Sequence, residues 1–297
     1  MKYALQSNEY ILLHQSFKEW LELLGYSGFS MPGLATSVKN FLYYQEQQNK
    51  TTLQQLVAAD ASDFIGFLQT QTGERTGRPF SSGHINKQIQ ALQLFSQYIR
   101  ETGKSDTGFA LQRLEEKRDK PIWLTKPEIQ ALYEATTDSL LGIRDRAMLA
   151  VYYGCGLRLN EGASLELKDI IASRKLLHVR KGKHYKERLV PVAQKNFEEL
   201  QLYIDYARPQ LLQKPTEALF IGANIGVGMN KQSLYIRIKA LTKKAKIKKK
   251  VGTHTLRHSI ATHLLHSGMK LERIQQFLGH GTLDSTQIYT HLVNELL

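Results

Sequence analysis

The chain has 297 residues, of which 42% are hydrophobic and 23% are charged. These values are typical of globular proteins and exclude a wholly disordered chain, and the length suggests about two domains. A single cysteine, Cys155, excludes a disulfide framework and any metal site built on several cysteines. No apolar run is long enough to cross a bilayer, and the start lacks the apolar core of a signal peptide. We therefore expect a cytoplasmic protein with no membrane partner.

Positive charge is concentrated in the second part of the chain. Residues 1–118 contain 12 Lys and Arg against 11 Asp and Glu, whereas residues 119–297 contain 28 against 16. The net charge of +13 therefore comes almost entirely from the second part. Such a basic region favours a polyanionic partner, with nucleic acid ahead of an acidic membrane surface. A basic surface that only aids solubility is the simpler alternative.

The first part of the chain is predicted to be helical. Apolar residues recur at steps of three and four over residues 10–24 and again over residues 85–99, which places each set on one helical face. Two further helices are predicted over residues 34–44 and 64–68. Four such helices can bury a small core of their own.

A change in composition predicts where this helical part ends. Residues 104–121 are mostly polar and charged and end at Pro121, which is typical of a linker. We therefore predict a helical domain over residues 1–103 and a second domain over residues 122–297.

The second domain begins with a strong helix-start signal. Thr125 is a favourable N-cap residue, Pro127 fits the first turn, and Glu128 can complete a capping box. Another helix is predicted over residues 142–153, where it meets a glycine-bounded turn.

One β-hairpin is predicted in the second domain. Residues 175–180 and 187–192 are short β-prone runs on either side of a basic, glycine-containing turn. Further along, residues 243–250 contain six lysines, a density more typical of a solvated loop than of a packed helix. The predicted fold class is therefore mainly α with a small antiparallel β-sheet.

Several short segments of the second domain place cationic or phenolic side chains at turns and helix ends. Any one of them is a weak signal, but together they form an ordered series. They are Gly-Leu-Arg-x-x-Glu at 156–161, Lys-Gly-Lys at 181–183 leading into Lys-Glu-Arg-Leu-Val-Pro at 186–191, His-x-Leu-Arg-His-Ser at 254–259, Leu-Gly-His at 278–280 and Ile-Tyr-Thr-His at 288–291.

This series resembles the catalytic boxes of the tyrosine recombinases, the lambda-integrase family, and especially its short Xer-like members. The resemblance covers residues 123–291 and implies a helical core-binding (SAM-like) domain followed by a mixed α/β catalytic domain. Residues 1–103 resemble the core-binding domain only in length, helicity and position. The implied activity is site-specific recombination of double-stranded DNA through a 3′-phosphotyrosyl intermediate, without metal, ATP or another cofactor. A chain that is monomeric in solution would act as a homotetramer on two sites, through a Holliday junction.

The resemblance also implies a nucleophile and a general acid. Tyr289 would attack the scissile phosphate, and Lys181 would protonate the departing 5′ oxygen. A phenol has a pKa of about 10, so it needs nearby cations or a base to react at neutral pH. Lys183 or Lys186 could replace Lys181, and outside its motif Tyr289 could simply be a half-buried tyrosine.

The remaining implied catalytic groups are two arginines and two histidines. Arg158 and Arg257 would hold the non-bridging phosphate oxygens, because a guanidinium donates two parallel bonds and keeps its charge. His254 would assist proton movement, and His280 would donate a further hydrogen bond. His254 and Arg257 are three residues apart and so share one helical face. Arg158 could instead cap a helix or pair with Glu161.

A second group of basic residues is predicted to contact DNA. Such contacts add affinity but little sequence specificity, because they are made to phosphates. The predicted DNA-binding residues are Lys183, Lys186, Arg188, Lys243, Lys244 and Lys246.

The sequence contains no convincing metal or nucleotide site. His254 and His258 have the spacing of a zinc-binding His-Glu-x-x-His helix, but Thr255 stands where the glutamate is needed. Arg257 beside them also disfavours a cation. Residues 222–228 lack both the Gly-Lys-Ser/Thr of a P-loop and the spacing of a dinucleotide fingerprint.

Two other functions stay open. A type IB topoisomerase-like enzyme would use the same chemistry to nick and reseal one duplex without pairing sites. A DNA-binding accessory protein would keep the fold but lack catalysis, although the intact series of motifs favours an enzyme.

Overall fold

The computed structural model describes residues 4–26, 30–73, 77–116, 121–180, 187–223 and 226–279. The chain divides into two compact units, Met1–Asp119 and Lys120–Leu297. The described residues are mainly helical and include one small antiparallel sheet, which confirms the predicted fold class. None of the helices in these ranges has the length and apolar character that a bilayer span requires.

The first unit is a helical bundle around an aromatic core. Its described helices are α1 (Asn8–Leu23), α2 (Met31–Gln47), α3 (Ala58–Thr70) and α4 (Ser82–Glu101). Ser7 and Ser81 cap α1 and α4, because each hydroxyl accepts a hydrogen bond from a first-turn amide at 3.2 Å. The ring of Phe17 meets that of Phe95 edge to face at 5.5 Å. All four predicted helices of this part are confirmed.

The first unit extends further along the chain than its helices. The sequence predicts a linker over residues 104–121, whereas Phe109 is only 5% exposed and packs in the aromatic core of the first unit. Asn86 holds Leu114 by both backbone groups, donating to its carbonyl at 2.9 Å and accepting from its amide at 2.8 Å. Phe109, Leu111 and Leu114 are few among many charged residues, so the overall composition of this segment conceals their packing against the first unit.

The second unit contains most of the elements that position the site. Its described α-helices are α5 (Lys126–Glu134), α6 (Leu140–Leu149), α7 (Leu159–Ala163), α8 (Gln194–Leu202), α9 (Arg208–Leu211), α10 (Lys231–Lys244), α11 (Thr253–His266) and α12 (Leu271–Leu278). The predicted capping box at the start of α5 is confirmed, since the Thr125 amide donates to the Glu128 carboxylate at 2.7 Å. The predicted helix over residues 142–153 is α6 followed by a π-helical turn, Ala150–Gly154.

The sheet of the second unit has three antiparallel strands in the order β1 (Ile170–Ile171), β2 (Leu176–Val179) and β3 (Arg188–Pro191). Strands β2 and β3 form the predicted hairpin, with Leu177 opposite Val190. The turn between them, residues 181–186, lies outside the described residues. Strand β1 has only two residues, too few to show the alternation by which a strand is predicted.

The core of the second unit brings the sheet and the helices together. Leu177 and Val190 from the hairpin, Tyr152 from the π-helical turn and Leu256 from α11 are fully buried in one apolar cluster. Helix α12 packs on α11 through a smaller cluster that contains Ile274 and Leu278. The start of α7, one end of β3, α11 and the end of α12 therefore lie close together.

Candidate functional site

The site is organised around one buried carboxylate, that of Glu161, which is 2% exposed. Arg158 is the N-cap residue of α7, and its backbone amide donates to Glu161 Oε2 at 2.9 Å. Its guanidinium Nη1 donates to Glu161 Oε1 at 2.8 Å. Arg158 therefore caps α7 and also pairs with Glu161, which are the two alternative roles that the sequence leaves open.

Two further arginines approach the same carboxylate. Arg188, the first residue of β3, donates through Nη1 to Glu161 Oε1 at 3.1 Å and through Nη2 to Glu161 Oε2 at 2.9 Å. Arg257 on α11 lies with its Nη1 at 3.9 Å from Glu161 Oε2. Three guanidinium groups thus share one carboxylate, which leaves a formal excess of two positive charges in a largely buried region.

The same three arginines also bind the end of helix α12. The last carbonyls of a helix have no partner within the helix and form the negative end of its dipole, so cations are stabilised there. The carbonyls of Phe277, Leu278 and Gly279 accept from Arg188 Nε at 3.3 Å, from Arg257 Nη2 at 2.7 Å and from Arg158 Nη2 at 3.2 Å. The end of α12 therefore fixes the arginines from the side opposite Glu161.

Glycines at two turns make this close approach possible. Gly279 caps α12 with φ of 66°, and a Cβ there would lie 2.9 Å from Arg188 Nη1. Gly156 has φ of 62°, and a Cβ there would lie 2.7 Å from a methyl carbon of Leu278. Its carbonyl accepts a hydrogen bond from Arg257 Nη1 at 2.6 Å. A larger residue at either position would strain the backbone, because φ is positive there, and would force the side chain of Arg188 or Leu278 to move.

The surroundings of Glu161 and His254 determine whether each side chain is protonated at neutral pH. Burial raises the pKa of Glu161, but the hydrogen bonds and charge of Arg188 and the bonds from Arg158 outweigh it and bring that pKa to about 2. Partial burial of the imidazole, which stays in part exposed to solvent, and then the charges of Arg257 and Arg158 lower the pKa of His254 below its ordinary value. At neutral pH Glu161 is therefore ionised and His254 is mostly neutral, able to accept a proton.

Helix α11 presents its two predicted site residues differently. His254 lies in the first turn with an exposed side chain, whereas Arg257 is only 3% exposed and points toward Gly156 and Leu278. On the helical face that the two residues share, the imidazole of His254 therefore lies near the surface and the guanidinium of Arg257 is buried.

A basic groove of about 580 Å³ adjoins His254. Lys243 lines it together with Lys239 and Lys250, and the Lys239 ammonium lies 5.1 Å from the ring centre of Tyr235. The sequence predicts a loop for residues 243–250, whereas α10 continues to Lys244. It does so because the apolar residues at steps of three and four extend to the last turn of α10, where lysines are favourable next to the helix dipole.

The structure brings together three of the predicted catalytic residues, Arg158, His254 and Arg257. Lys243, Lys244 and Lys246 are exposed at the end of α10 and in the turn after it. Arg188 is also described, and the five remaining predicted site residues lie outside the described ranges: Lys181, Lys183, Lys186, His280 and Tyr289.

The sequence does not reveal the position of Arg188 directly. It predicts a DNA contact there, and this stays a prediction, but the side chain is only 11% exposed and is bonded to Glu161. The signal lies in the alternation along β3, where Arg188 shares its face with the buried Val190. An arginine on the inner face of a strand requires a buried acceptor, and Glu161 supplies it. Within the described ranges, no group of three or more His, Cys, Asp or Glu side chains could hold a metal ion.

Comparisons with known proteins identify the family of the chain. The Phage integrase family matches residues 122–295. Tyrosine recombinase XerD of Oceanobacillus iheyensis is 31% identical over 277 residues, which cover 92% of this chain and 91% of that protein. Tyrosine recombinase XerD of Proteus mirabilis is 36% identical over 239 residues, which cover 79% of this chain and 75% of that protein.

Solved structures show the same fold over nearly the whole chain. The crystal structure of XerA recombinase aligns with a TM-score of 0.54 and 26% identity over 97% of both chains. XerH site-specific recombinase, in a post-cleavage complex with its palindromic difH substrate, aligns with a TM-score of 0.73 and 21% identity, covering 98% of this chain and 83% of that one. The ordered motifs, the cluster of arginines and these similarities lead to one conclusion: the chain belongs to the phage integrase family and is a Xer-like tyrosine recombinase.

Proposed function

We propose that this enzyme is a site-specific DNA recombinase that cuts and rejoins double-stranded DNA through a 3′-phosphotyrosyl intermediate. The observation that carries the proposal is the convergence of Arg158, Arg257 and His254 on one place, where two guanidinium groups lie beside a mostly neutral imidazole. That set matches what transfer of a phosphodiester requires: fixed positive charge for the non-bridging oxygens and a proton acceptor for the nucleophile.

The proposed cleavage step forms one bond and breaks another at the same phosphorus. The phenol oxygen of Tyr289 forms a bond to phosphorus while the bond to the 5′ oxygen breaks. His254 takes the phenol proton, directly or through water, and Lys181 gives a proton to the departing oxygen. Negative charge grows on the oxygens held by Arg158 and Arg257, so fixed donors stabilise the transition state more than the ground state. His280 donates a further hydrogen bond.

Rejoining is the same reaction in reverse. A 5′ hydroxyl attacks the phosphotyrosyl phosphorus, and the phenol leaves as the DNA backbone is restored. The phosphoester bond to Tyr289 retains the energy of the broken linkage, so the proposal requires no ATP. The arginines supply the charge that a divalent cation supplies in other phosphoryl transferases, so the proposal requires no metal.

Membership of the family supports a proposal for the wider assembly. We propose that four protomers, each monomeric in solution, act on two DNA sites and exchange strands in pairs through a Holliday junction. The first unit would be the core-binding domain, and the basic groove beside His254 would hold phosphates next to the scissile one. Lys243, Lys244 and Lys246 at the end of α10 are suited to that role because they are exposed.

The experiment that tests this function is trapping of the covalent adduct. DNA fragments covalently attached to the protein in expressing cells are sequenced to identify the site, and a nicked suicide substrate is built from it. The Tyr289→Phe variant should bind this substrate but form no adduct, whereas Tyr206→Phe, at a tyrosine that is 54% exposed, should behave like the wild type. The reactions contain a chelator, which should not change the rate.

Other outcomes select the alternatives. An adduct in Tyr289→Phe would assign the nucleophile to another residue. Relaxation of a plasmid with two sites, without exchange between them, would favour the topoisomerase-like activity. Binding without any adduct in the wild type would favour an accessory protein.

A further inference from the structure

The DNA-binding role predicted for Arg188 does not explain the contacts of its side chain. All three of its guanidinium nitrogens donate to protein acceptors: Nε to the Phe277 carbonyl, and Nη1 and Nη2 to the two oxygens of Glu161. The side chain is 11% exposed. To reach a DNA phosphate it would have to break a bidentate, charge-assisted pair with a buried carboxylate, and such a pair is strong.

Glu161 has two opposite effects on the site. Its carboxylate orients Arg158 through a backbone and a side-chain hydrogen bond at 2.9 and 2.8 Å. The same negative charge lies 3.9 Å from Arg257 Nη1 and so weakens the field of both arginines at a bound phosphate. Without a further cation, one carboxylate would cancel half the charge of Arg158 and Arg257.

We propose that Arg188 is a positioning residue that neutralises Glu161, so that Glu161 can orient Arg158 without cancelling the positive charge presented to the phosphate. With Arg188 included, three guanidinium groups and one carboxylate leave an excess of two positive charges. A phosphodiester carries one negative charge, and a pentavalent phosphorane-like state formed from it by a phenolate carries two. The cluster therefore matches the charge of the state that must be stabilised. This inference rests on the proposed function.

The contact of Arg188 with α12 supports the same role. Its Nε donates to the Phe277 carbonyl, and its side chain occupies the space that a Cβ on Gly279 would need. Arg188 is thus held from two sides, by Glu161 and by the end of α12. A side chain that is fixed in this way is already organised before DNA binds, as electrostatic stabilisation of a transition state requires.

The test is a double-mutant cycle on Arg188 and Glu161 with two readouts, DNA affinity and the single-turnover cleavage rate of saturated enzyme on the suicide substrate. Arg188→Met should leave the dissociation constant within about threefold and slow cleavage by about 10- to 100-fold, less than the 10²- to 10³-fold typical of a direct donor. Arg188→Lys keeps the charge and should recover part of the rate. Glu161→Gln should slow cleavage by the wild type, because Arg158 loses its orienting partner. It should speed up cleavage by Arg188→Met, because in that variant the Glu161 carboxylate offsets part of the charge of Arg158 and Arg257.

Arg146→Met is the matched control. Arg146 is 15% exposed and donates to Glu199 at 2.9 Å, so it is an arginine of similar burial in a carboxylate pair outside the arginine cluster. The Arg146→Met variant should be less stable than the wild type but should cleave at the same rate. Thermal unfolding of each variant shows which are folded, and if Arg188→Met unfolds, Arg188→Lys and its combination with Glu161→Gln complete the cycle.

Two results would overturn the inference. One is additive effects of the Arg188 and Glu161 substitutions on cleavage. The other is an Arg188→Met enzyme with weakened, less salt-dependent DNA binding and an unchanged rate at saturation, which would make Arg188 a phosphate contact. A wild type that forms no adduct contradicts the proposed function instead, so the two failures are distinguishable.

Discussion

The two units bury different kinds of side chain. Among the described residues of the first unit, Asp60 is the one buried side chain that carries a charge, and the core is dominated by leucine, phenylalanine and isoleucine. The described part of the second unit buries six, namely Arg144, Asp145, Glu161, Asp169, Arg208 and Arg257. Burying a charge is unfavourable unless it is paired and hydrogen-bonded. Folding of the second unit therefore carries a desolvation cost that is mostly absent from the first unit.

That difference indicates where the chemistry is. A bundle can be stabilised by apolar burial alone, but a site that stabilises a phosphoryl transition state needs cations that are held away from water. The second unit meets this need with ion pairs, since each of its buried carboxylates has an arginine as partner. Of these buried charges, Glu161 and Arg257 belong to the candidate site and fit the proposed function, whereas the other four hold ion pairs and backbone carbonyls elsewhere in the second unit.

The largest effect should come from breaking one of these ion pairs. Asp145 is fully buried and accepts hydrogen bonds from Arg237 and Arg144. Asp145→Ala leaves two arginines without their carboxylate and should lower the free energy of unfolding by about 3–5 kcal/mol. Urea denaturation measured by the fluorescence of Trp123, in a Trp20→Phe background, reports on the second unit.

The comparison needs a matched change in the first unit. Phe95→Ala removes a fully buried ring and should also lower the free energy of unfolding by about 3–5 kcal/mol. The fluorescence of Trp20, which packs against Phe17, should report this change in a Trp123→Phe background. Each substitution should shift the transition of its own unit, and equal shifts of both tryptophans would contradict the separation of the two cores.

Features that depend on neighbouring residues could be predicted from the sequence. The capping box at Thr125 and the glycine cap at Gly279 are local hydrogen-bond patterns, and the hairpin follows from two β-prone runs around a turn. The family motifs placed Arg158 and Arg257 in the site for a different reason, which is their order along the chain.

Contacts between distant residues could not be predicted in this way. Arg188 meets Glu161 across 27 positions, and Arg158 meets Gly279 across 121. No local pattern encodes which carboxylate an inward arginine will find, because that depends on how the sheet packs on the helices. The same limit applies to Phe109, whose burial in the first unit depends on helices that precede it by many residues.

A smaller effect concerns the pH dependence of cleavage and contrasts two histidines with lowered pKa values. The pKa of His254 is lowered by burial and then by Arg257 and Arg158, so it is mostly neutral at pH 7. The cleavage rate should decrease as pH falls through a value below about 6.5, since protonated His254 cannot accept the phenol proton. His254→Gln should slow cleavage by about 10²-fold and abolish this acidic limb in a pH–rate profile.

His84 of the first unit is the control for that profile. Its pKa is lowered by burial and by Lys87, without any arginine of the site. His84→Gln should therefore leave the acidic limb of cleavage unchanged. An unaltered limb in His254→Gln would assign the titrating group to another residue and remove His254 from the proton transfer.

The smallest effect tests the charge difference between the units through the salt dependence of DNA binding. Lys243 is exposed and lines the basic groove beside His254. If it neutralises one phosphate, Lys243→Gln should reduce the slope of log K against log salt concentration by about 0.9. Lys168→Gln is the control, because that ammonium already pairs with Glu166 at 2.9 Å and should change the slope little. Equal slopes for both variants would mean that Lys243 is only solvated.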